Sequence, residues 1–531
     1  MNNRLKYILL IFFGISLYLI PLSNLLGYKT LDEKEFLAIE RRQMARLMPW
    51  SIKDMKGYFI NLEKHVNDRF AFRHDLLNIF ARMKVYLGQS PDPDQVVSGS
   101  DNWLFYNSKG LKLMRQFQGR EPLTRKEIII WRNYFLSIQK YLNKKNIEFI
   151  LAIAPDKHSI YPEYLPYYYS HKGITPFDQI LKESGDLNII DLHQRLISYK
   201  SKTDKLLYYK TDTHWNVFGA YHAYVELSSA IRWPYYQKLM ISDSCFNYVN
   251  EWYNSDLLGM IRLTKQYSDH VYSVSGSCLG TDSIYQCSDL SFTDGKIIPN
   301  NQMIGITGSH FINNPAKPGR ALIIGDSFMV GMSPYFNNSF GSICYKHLLS
   351  RQKEDLLDIV NEVNPDIVIW EMVERYLKLP VNNYYNWLKR DVLELFYSYN
   401  MAELVNTSIF NKFIKNVSYS QGGLRFSSFG ADPIIILPEV DLPTDPFVVE
   451  VDLSSNVSGI AEIFYQTEGN KNYSEKNRVN LPLKAGRQLL RFRLDEIDVI
   501  GKLRFDPCAK EGVFTLYSIT IYSFDSHEAT K

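Results

Sequence analysis

RALIIGDSFMVG, residues 320–331, is the stretch on which the fold turns. Ala321 to Ile324 reads as a buried strand, Gly325-Asp326-Ser327-Phe328 as a sharp turn, and Met329 to Phe336 as the continuing helix. Continuous apolar strands between helices predict a largely parallel sheet covered on both faces. In open sheets of that kind, ligands collect at the carboxyl ends of the strands, which is where Ser327 falls. A serine at such a turn has an exposed hydroxyl and backbone N–H groups close by to stabilise an oxyanion. Serine after Gly-Asp is equally an ordinary helix cap, so the turn alone does not define a nucleophile.

The same texture runs outward from this turn across residues 95–400. IEFILAIAP (147–155) follows a helical stretch around Trp131–Asn143, LNIIDL (187–192) precedes HQRLISYK, and PDIVIWEMV (365–373) follows a helical stretch around Glu354–Val363. The expected class is α/β, a mostly parallel sheet flanked by helices. Residues 232–319, rich in Ser, Tyr, Asn and Gly, read as an insertion; Cys245, Cys278, Cys287 and Cys344 lie in or near it. A Cys278–Cys287 bridge would suit an oxidising compartment.

Beyond about residue 410, DPIIILPEV, DPFVVEVDL, GIAEIFYQT, RQLLRFRL and FTLYSITIYSF alternate with turn residues at regular spacing, which predicts a β-sandwich over 411–531. Residues 401–531 carry 14 Lys and Arg against 17 Asp and Glu, so this part is acidic. Upstream, residues 28–94 read as two amphipathic helices divided near Pro49 and packing on the next domain. The first 27 residues join a basic start to the apolar run Tyr7–Leu22. That run is shorter than the roughly 20 residues a spanning helix needs. It is read as an uncleaved membrane anchor, with Arg4 and Lys6 on the cytoplasmic side and the remainder on the periplasmic side of the inner membrane; a cleaved export signal is the alternative.

Composition excludes several classes. A chain of 531 residues exceeds one compact unit, and a net charge of +3 lacks the basic excess of a nucleic-acid binder. Five cysteines with no CxxC make neither a disulfide scaffold nor a zinc site.

A second constellation is KTDTHWN, residues 210–216. In extended backbone Asp212 and His214 would point to one face, so the carboxylate can orient the imidazole and stabilise its protonated form. Asp-x-His is also half of a metal site, although no third ligand stands at a suggestive spacing. Together with the strand-end serine, the pair supplies nucleophile, base and orienting group for acyl transfer.

Asp212-x-His214-Trp215 followed by Gly325-Asp326-Ser327-Phe328 resembles the SGNH-hydrolase-like domain of the alginate O-acetyltransferase family (AlgX and AlgJ). DNWLFY (101–106), PDKHSIYPEYLP (155–166), PDIVIWEMVERYL (365–377), ERRQMARLMP and NDRFAFR resemble the family's other signatures. The likeness spans about residues 35–395. Ordinary SGNH esterases place Gly-Asp-Ser early and the histidine late; the reversed order matches the acetyltransferase branch, as in a circular permutation.

The resemblance implies an SGNH-like (flavodoxin-like) fold, with Ser327 as nucleophile, His214 as base and Asp212 as its partner. It also implies a polysaccharide substrate, a membrane-bound O-acyltransferase supplying acetyl groups, and no cofactor or metal. Tyr161, Lys157, Arg375 and Trp215 are candidate substrate-binding residues beside this triad, and Glu371 with Arg375 is equally a simple ion pair four residues apart. ADPIIILP and LRFDPC resemble carbohydrate-binding-module-like sandwiches, with Tyr465, Tyr473 and Phe492 as stacking faces. The leading expectation is an O-acetyltransferase for an exported polysaccharide. A polysaccharide acetyl-esterase with the same triad and a non-catalytic glycan-binding protein are the alternatives.

Overall fold

The computed structural model describes residues 32–523, except 41–42, 51–53, 70–71, 250–254, 264–268, 270, 306–307, 350–354, 382–383, 385–392, 431, 444–445 and 497, together with six residues between Tyr7 and Ile15. At its centre is an eight-stranded mixed sheet. In chain order its strands are β1 (Glu148–Ala154), β2 (Ile189–Asp191), β3 (Ile284–Cys287), β4 (Lys296–Ile298), β5 (His310–Asn313), β6 (Arg320–Gly325), β7 (Ser342–His347) and β8 (Ile367–Val373). The spatial order is β2-β1-β8-β6-β7-β5-β3-β4. The first five neighbours are parallel, as the apolar runs predict. The last three strands are antiparallel and come from the segment read as an insertion, so residues 232–319 complete the sheet rather than leave it.

Five helices matter for the site: α1 (Arg125–Lys144), α2 (Val217–Ala230), α3 (Asp256–Met260), α4 (Ser327–Asn337) and α5 (Leu356–Val363). The strands alternate their side chains between two cores, which is why they read as unbroken apolar runs. Ile150, Ala152, Ala321 and Ile323 pack with Phe218 of α2 and Met332 of α4. Leu151, Ile153, Leu322 and Ile324 face Trp131 and Phe135 of α1 and Val360 of α5. α1 is started by a reciprocal cap in which Thr124 accepts from the Glu127 amide and Glu127 accepts from the Thr124 amide.

The C-terminal region is all-β. One sheet is built on Phe447–Ser455 and Gly512–Ser523, the other on Gly459–Thr467 and Val499–Asp506, and both are antiparallel around one apolar core. This sandwich starts earlier than residue 411, because Glu394–Ser398 pairs with Gly512–Ser523. Two of its expected stacking faces are corrected, since Phe492 and Tyr465 are buried in its core; Tyr473 is half-buried, its hydroxyl donating to the Lys502 carbonyl.

The N-terminal hairpin resolves into Glu33–Glu40, Met55–Asp68 and Arg73–Tyr86. Ala81 of the last helix packs with Val96, Leu104 and Leu257. The membrane anchor expected at residues 1–27 is corrected: among the described residues no helix is long and apolar enough to cross a membrane. Most of that stretch lies outside the described residues. The cysteine expectation is corrected as well. Cys245 pairs with Cys278, while Cys287 is a buried free thiol on β3.

Candidate active site

Ser327 is the first residue of α4, directly beyond the carboxyl end of β6. The turn before it is pinned by Asp326. One of its carboxylate oxygens accepts from the Phe328 amide at 2.8 Å and the other from the Val373 amide on β8 at 2.8 Å. Gly325 is required by close approach: a Cβ there would lie 2.7 Å from Met329 Cβ and 3.1 Å from a Glu371 carboxyl oxygen. Buried Glu371 accepts from the Asp326 amide at 3.1 Å. Burial, then the nearby Asp326 charge, pushes the Glu371 carboxyl well above its ordinary value. Glu371 lies within β8, and Arg375 pairs instead with Asp156 at 2.6 Å, so the two do not form the expected ion pair.

Asp212 and His214 lie in a tight bend closed by a Tyr208–Trp215 bridge, not along a strand. One Asp212 oxygen accepts from both the His214 amide at 3.0 Å and the imidazole Nδ1 at 2.7 Å. The other imidazole nitrogen, Nε2, lies 2.7 Å from Ser327 Oγ. The bend therefore achieves by a local loop what extended alternation was expected to provide. Asn216 then caps α2 through the Phe218 and Gly219 amides, fixing the exit of the bend.

Asp256, the first residue of α3, is the group that spacing did not reveal. Its amide donates to the second Asp212 oxygen at 3.0 Å. Its carboxylate accepts from the Thr213 amide at 2.9 Å and the Thr213 hydroxyl at 2.6 Å. Burial opposes a charged His214, but the Asp212 hydrogen bond and charge, with Asp256 adding, outweigh it and hold the imidazole above its ordinary value. Burial likewise opposes the Asp212 carboxylate, yet His214 keeps it below the usual range. Asp256 is raised, first by burial and then by the Asp212 charge. Donor atoms of Asp212, His214 and Asp256 lie within 4.8 Å of one another, the spacing of a metal site, but each is engaged by these internal hydrogen bonds.

The candidate substrate residues stand behind the triad rather than around it. Lys157 is buried, and its ammonium donates to the Tyr209, Lys210 and Asp212 carbonyls at 3.0, 2.8 and 2.6 Å. Burial lowers its pKa to about 8. Trp215 is buried and donates to the Phe328 carbonyl at 3.0 Å, tying the histidine bend to the serine turn. Tyr161 is buried, its hydroxyl accepting from the Leu207 amide at 3.0 Å. Arg375 is buried on Asp156 with its guanidinium 5.3 Å from the centre of the Phe328 ring. A further buried group, Asp156, His158 and Glu374, also has metal-like spacing. There Arg375 and His193 already engage the carboxylates.

An exposed serine at a strand end, an imidazole on its oxygen and a carboxylate behind the imidazole, on a mixed sheet between helices, form the arrangement that acyl transfer requires on an SGNH-like fold. Residues 96–267 match the family model described as SGNH hydrolase-like domain, acetyltransferase AlgX. The probable alginate O-acetylase AlgJ of Pseudomonas aeruginosa is 21% identical over 369 residues, covering 63% of this chain and 86% of the relative. The corresponding protein of Pseudomonas putida is 22% identical over 329 residues, covering 60% and 79%. Among solved structures, Bacillus cereus PatB1 with a sulfonyl adduct is 17% identical at a TM-score of 0.41, covering 55% of this chain and 98% of that one. Part of the chain is thus similar to the SGNH hydrolase-like domain of AlgX, and about three fifths of it to the probable alginate O-acetylases AlgJ.

Proposed function

We propose that this protein acetylates hydroxyl groups of a polysaccharide through an acetyl-Ser327 intermediate. The observation that carries the reading is His214, held between the Asp212 carboxylate and the Ser327 hydroxyl at 2.7 Å on each side. His214 takes the serine proton as Oγ attacks the acetyl carbonyl of the donor. Collapse of the tetrahedral adduct breaks the bond to the donor's leaving group, which takes that proton from Nε2. A sugar hydroxyl then attacks the acetyl-serine, again giving its proton to His214. The second collapse forms the sugar ester and returns the proton to Ser327.

Asp212 stabilises the imidazolium formed in each half-reaction and fixes the tautomer. The amide of Ser327, at the first turn of α4, offers a backbone donor for the oxyanion. The likeness to AlgX and AlgJ supports acetyl as the group and a polysaccharide as acceptor, and a membrane-bound O-acyltransferase fits as the donor's source. These steps call for no cofactor. Because Ser327 is exposed, water also reaches the acyl-enzyme, which is why the esterase reading stands second.

The deciding experiment gives purified protein an activated acetyl donor with candidate glycans and measures acetylated sugar against free acetate. Acetate release unchanged by any glycan, with no sugar ester formed, would leave the esterase.

A further inference from the structure

The amino ends of the parallel strands carry a groove of about 670 Å³ on the edge of the sheet opposite Ser327. It is lined where β1 and β8 begin, at Glu148 and Asp366, and by the end of α1 and the segment after α2. Seven residues of β1 separate its level from the carboxyl edge, roughly 20 Å at strand rise. The groove is therefore distinct from the acyl-transfer site.

Its chemistry is selective. Each acidic lining residue is already engaged by the protein itself. Glu148 accepts from the Arg232 and Trp233 amides at 2.8 Å each, Asp186 is paired with Arg132, and Asp366 accepts from the Arg320 amide at 2.8 Å. Among the described residues, no hydrogen bond or ion pair engages the exposed side chains of Asn143, Asn146 and Arg232. The free groups of the groove are thus two amides, each offering donors and an acceptor, and one guanidinium.

Trp233 supplies the apolar element. It is half-buried and held in place, because Gly319 (φ +81°) has no Cβ: one would sit 2.3 Å from the indole ring. The exposed Tyr235 meets it edge-on with centroids 5.5 Å apart. A fixed aromatic beside open amides matches a sugar ring, whose C–H face stacks while its hydroxyls need paired donors and acceptors. The free guanidinium matches a carboxylate, the neighbouring acids each being turned to donors of the protein itself.

We propose that this groove is a second glycan site, taking a short run of an acidic oligosaccharide with a sugar carboxylate on Arg232. The sugar class rests on the transferase reading above. Such a site would retain a long polymer between turnovers by local concentration, without taking part in chemistry.

The test uses the full chain carrying Ser327→Ala, so that no ester forms, with a six-residue polyuronate and a neutral hexasaccharide as probes. Amide hydrogen exchange is followed at residues 143–148 and 231–235, and affinity by calorimetry. Polyuronate should protect both segments. Arg232→Gln should reduce the preference for the acidic over the neutral probe at least about threefold, and Trp233→Ala should weaken both about fivefold. Arg232 is exposed, so its variant stays informative if Trp233→Ala fails to fold. Absence of protection in these segments, or acidic and neutral probes bound alike by the parent, overturns the proposal. Acetyl transfer by the chain with Ser327 intact is measured in parallel. Groove protection without transfer would leave the site standing and sink the transferase reading; transfer without protection would do the reverse.

Discussion

The amide of Asp256 donates to the Asp212 oxygen that does not touch His214, at 3.0 Å, so a helix start from the 232–319 segment buttresses the triad carboxylate. The same residue places a second negative charge beside the imidazole. Asp256→Asn keeps the backbone amide and one acceptor for the Thr213 amide, the Thr213 hydroxyl turning to accept from the new NH2, but removes that charge. Since the charge helps hold His214 above its ordinary value, its loss lowers the His214 pKa. His214 works as a base only when neutral. Activity therefore falls as pH drops through its pKa, with the acid limb in the parent displaced upward from the ordinary imidazole range. In the variant the limb moves to lower pH, while the plateau rate changes little. The pH profile of kcat/KM on a small aryl acetate reads this directly. A limb that stays in place, or a plateau lost by orders of magnitude, contradicts a positioning role.

Ser327→Ala removes the hydroxyl that lies 2.7 Å from His214 Nε2. Acetyl transfer and ester hydrolysis should both fall by about three orders of magnitude or more, with the thermal midpoint and glycan binding unchanged. A purified variant retaining a few per cent of parental activity assigns the nucleophile elsewhere.

Lys157 shows how a residue can matter to the site without reaching substrate. Lys157→Met takes the ammonium away from the Tyr209, Lys210 and Asp212 carbonyls, of which that of Lys210 keeps the Leu104 amide, at a cost of about 2 kcal/mol or more in stability. The bend carrying Asp212 and His214 loosens with them. Calorimetry should show the loss, and kcat should fall more than KM rises. An increase in KM alone would return Lys157 to the substrate-binding role.

The Cys245–Cys278 bridge closes a loop of sequence separation 33 that contains α3 and therefore Asp256. Removing it with Cys245→Ser should cost about 3–4 kcal/mol on the chain-entropy estimate. Thermal unfolding with and without reductant checks this: the parent's midpoint should fall on reduction, and that of the variant should not move.

How far the sequence reveals this site depends on how local each contact is. Ser327 is legible because a strand, a turn and a helix follow one another within a dozen residues. Asp212 and His214 are legible because two residues suffice to orient an imidazole, whichever backbone shape brings them together. Asp256 meets Asp212 across 44 residues, from a segment whose short strands β3, β4 and β5 lack the apolar runs of the sheet centre. No spacing rule reaches that far. Cysteine pairing is hidden for the same reason, since composition does not encode connectivity. Lys157 was misread because a lysine after a strand end is ordinarily solvated, and only the crowd of carbonyls around it explains its burial.

Truncation tests whether the sandwich is an appendage or part of the catalytic body. Val448 and Tyr522 belong to the same buried cluster as Trp370 of β8 and Trp131 of α1, so the sandwich shares a core with one face of the central sheet. Lys126 of α1 also pairs with Glu496 at 2.8 Å, and Lys144 with Glu394 at 3.0 Å. The surface pairs contribute little, about 0–1 kcal/mol each. The shared apolar burial is the larger effect. Losing two buried side chains of this size exposes their neighbours as well and costs several kcal/mol, roughly 3–5 for a large aromatic alone. A chain ending at residue 393 should therefore unfold at a markedly lower temperature and lose activity equally on short and long acceptors. A tethered binding module predicts the opposite: an unchanged thermal midpoint, full activity on short oligosaccharides and a deficit on polymer alone. Measuring both acceptors beside a melting curve separates the two, and Val448→Ala with the sandwich intact should reproduce part of the destabilisation.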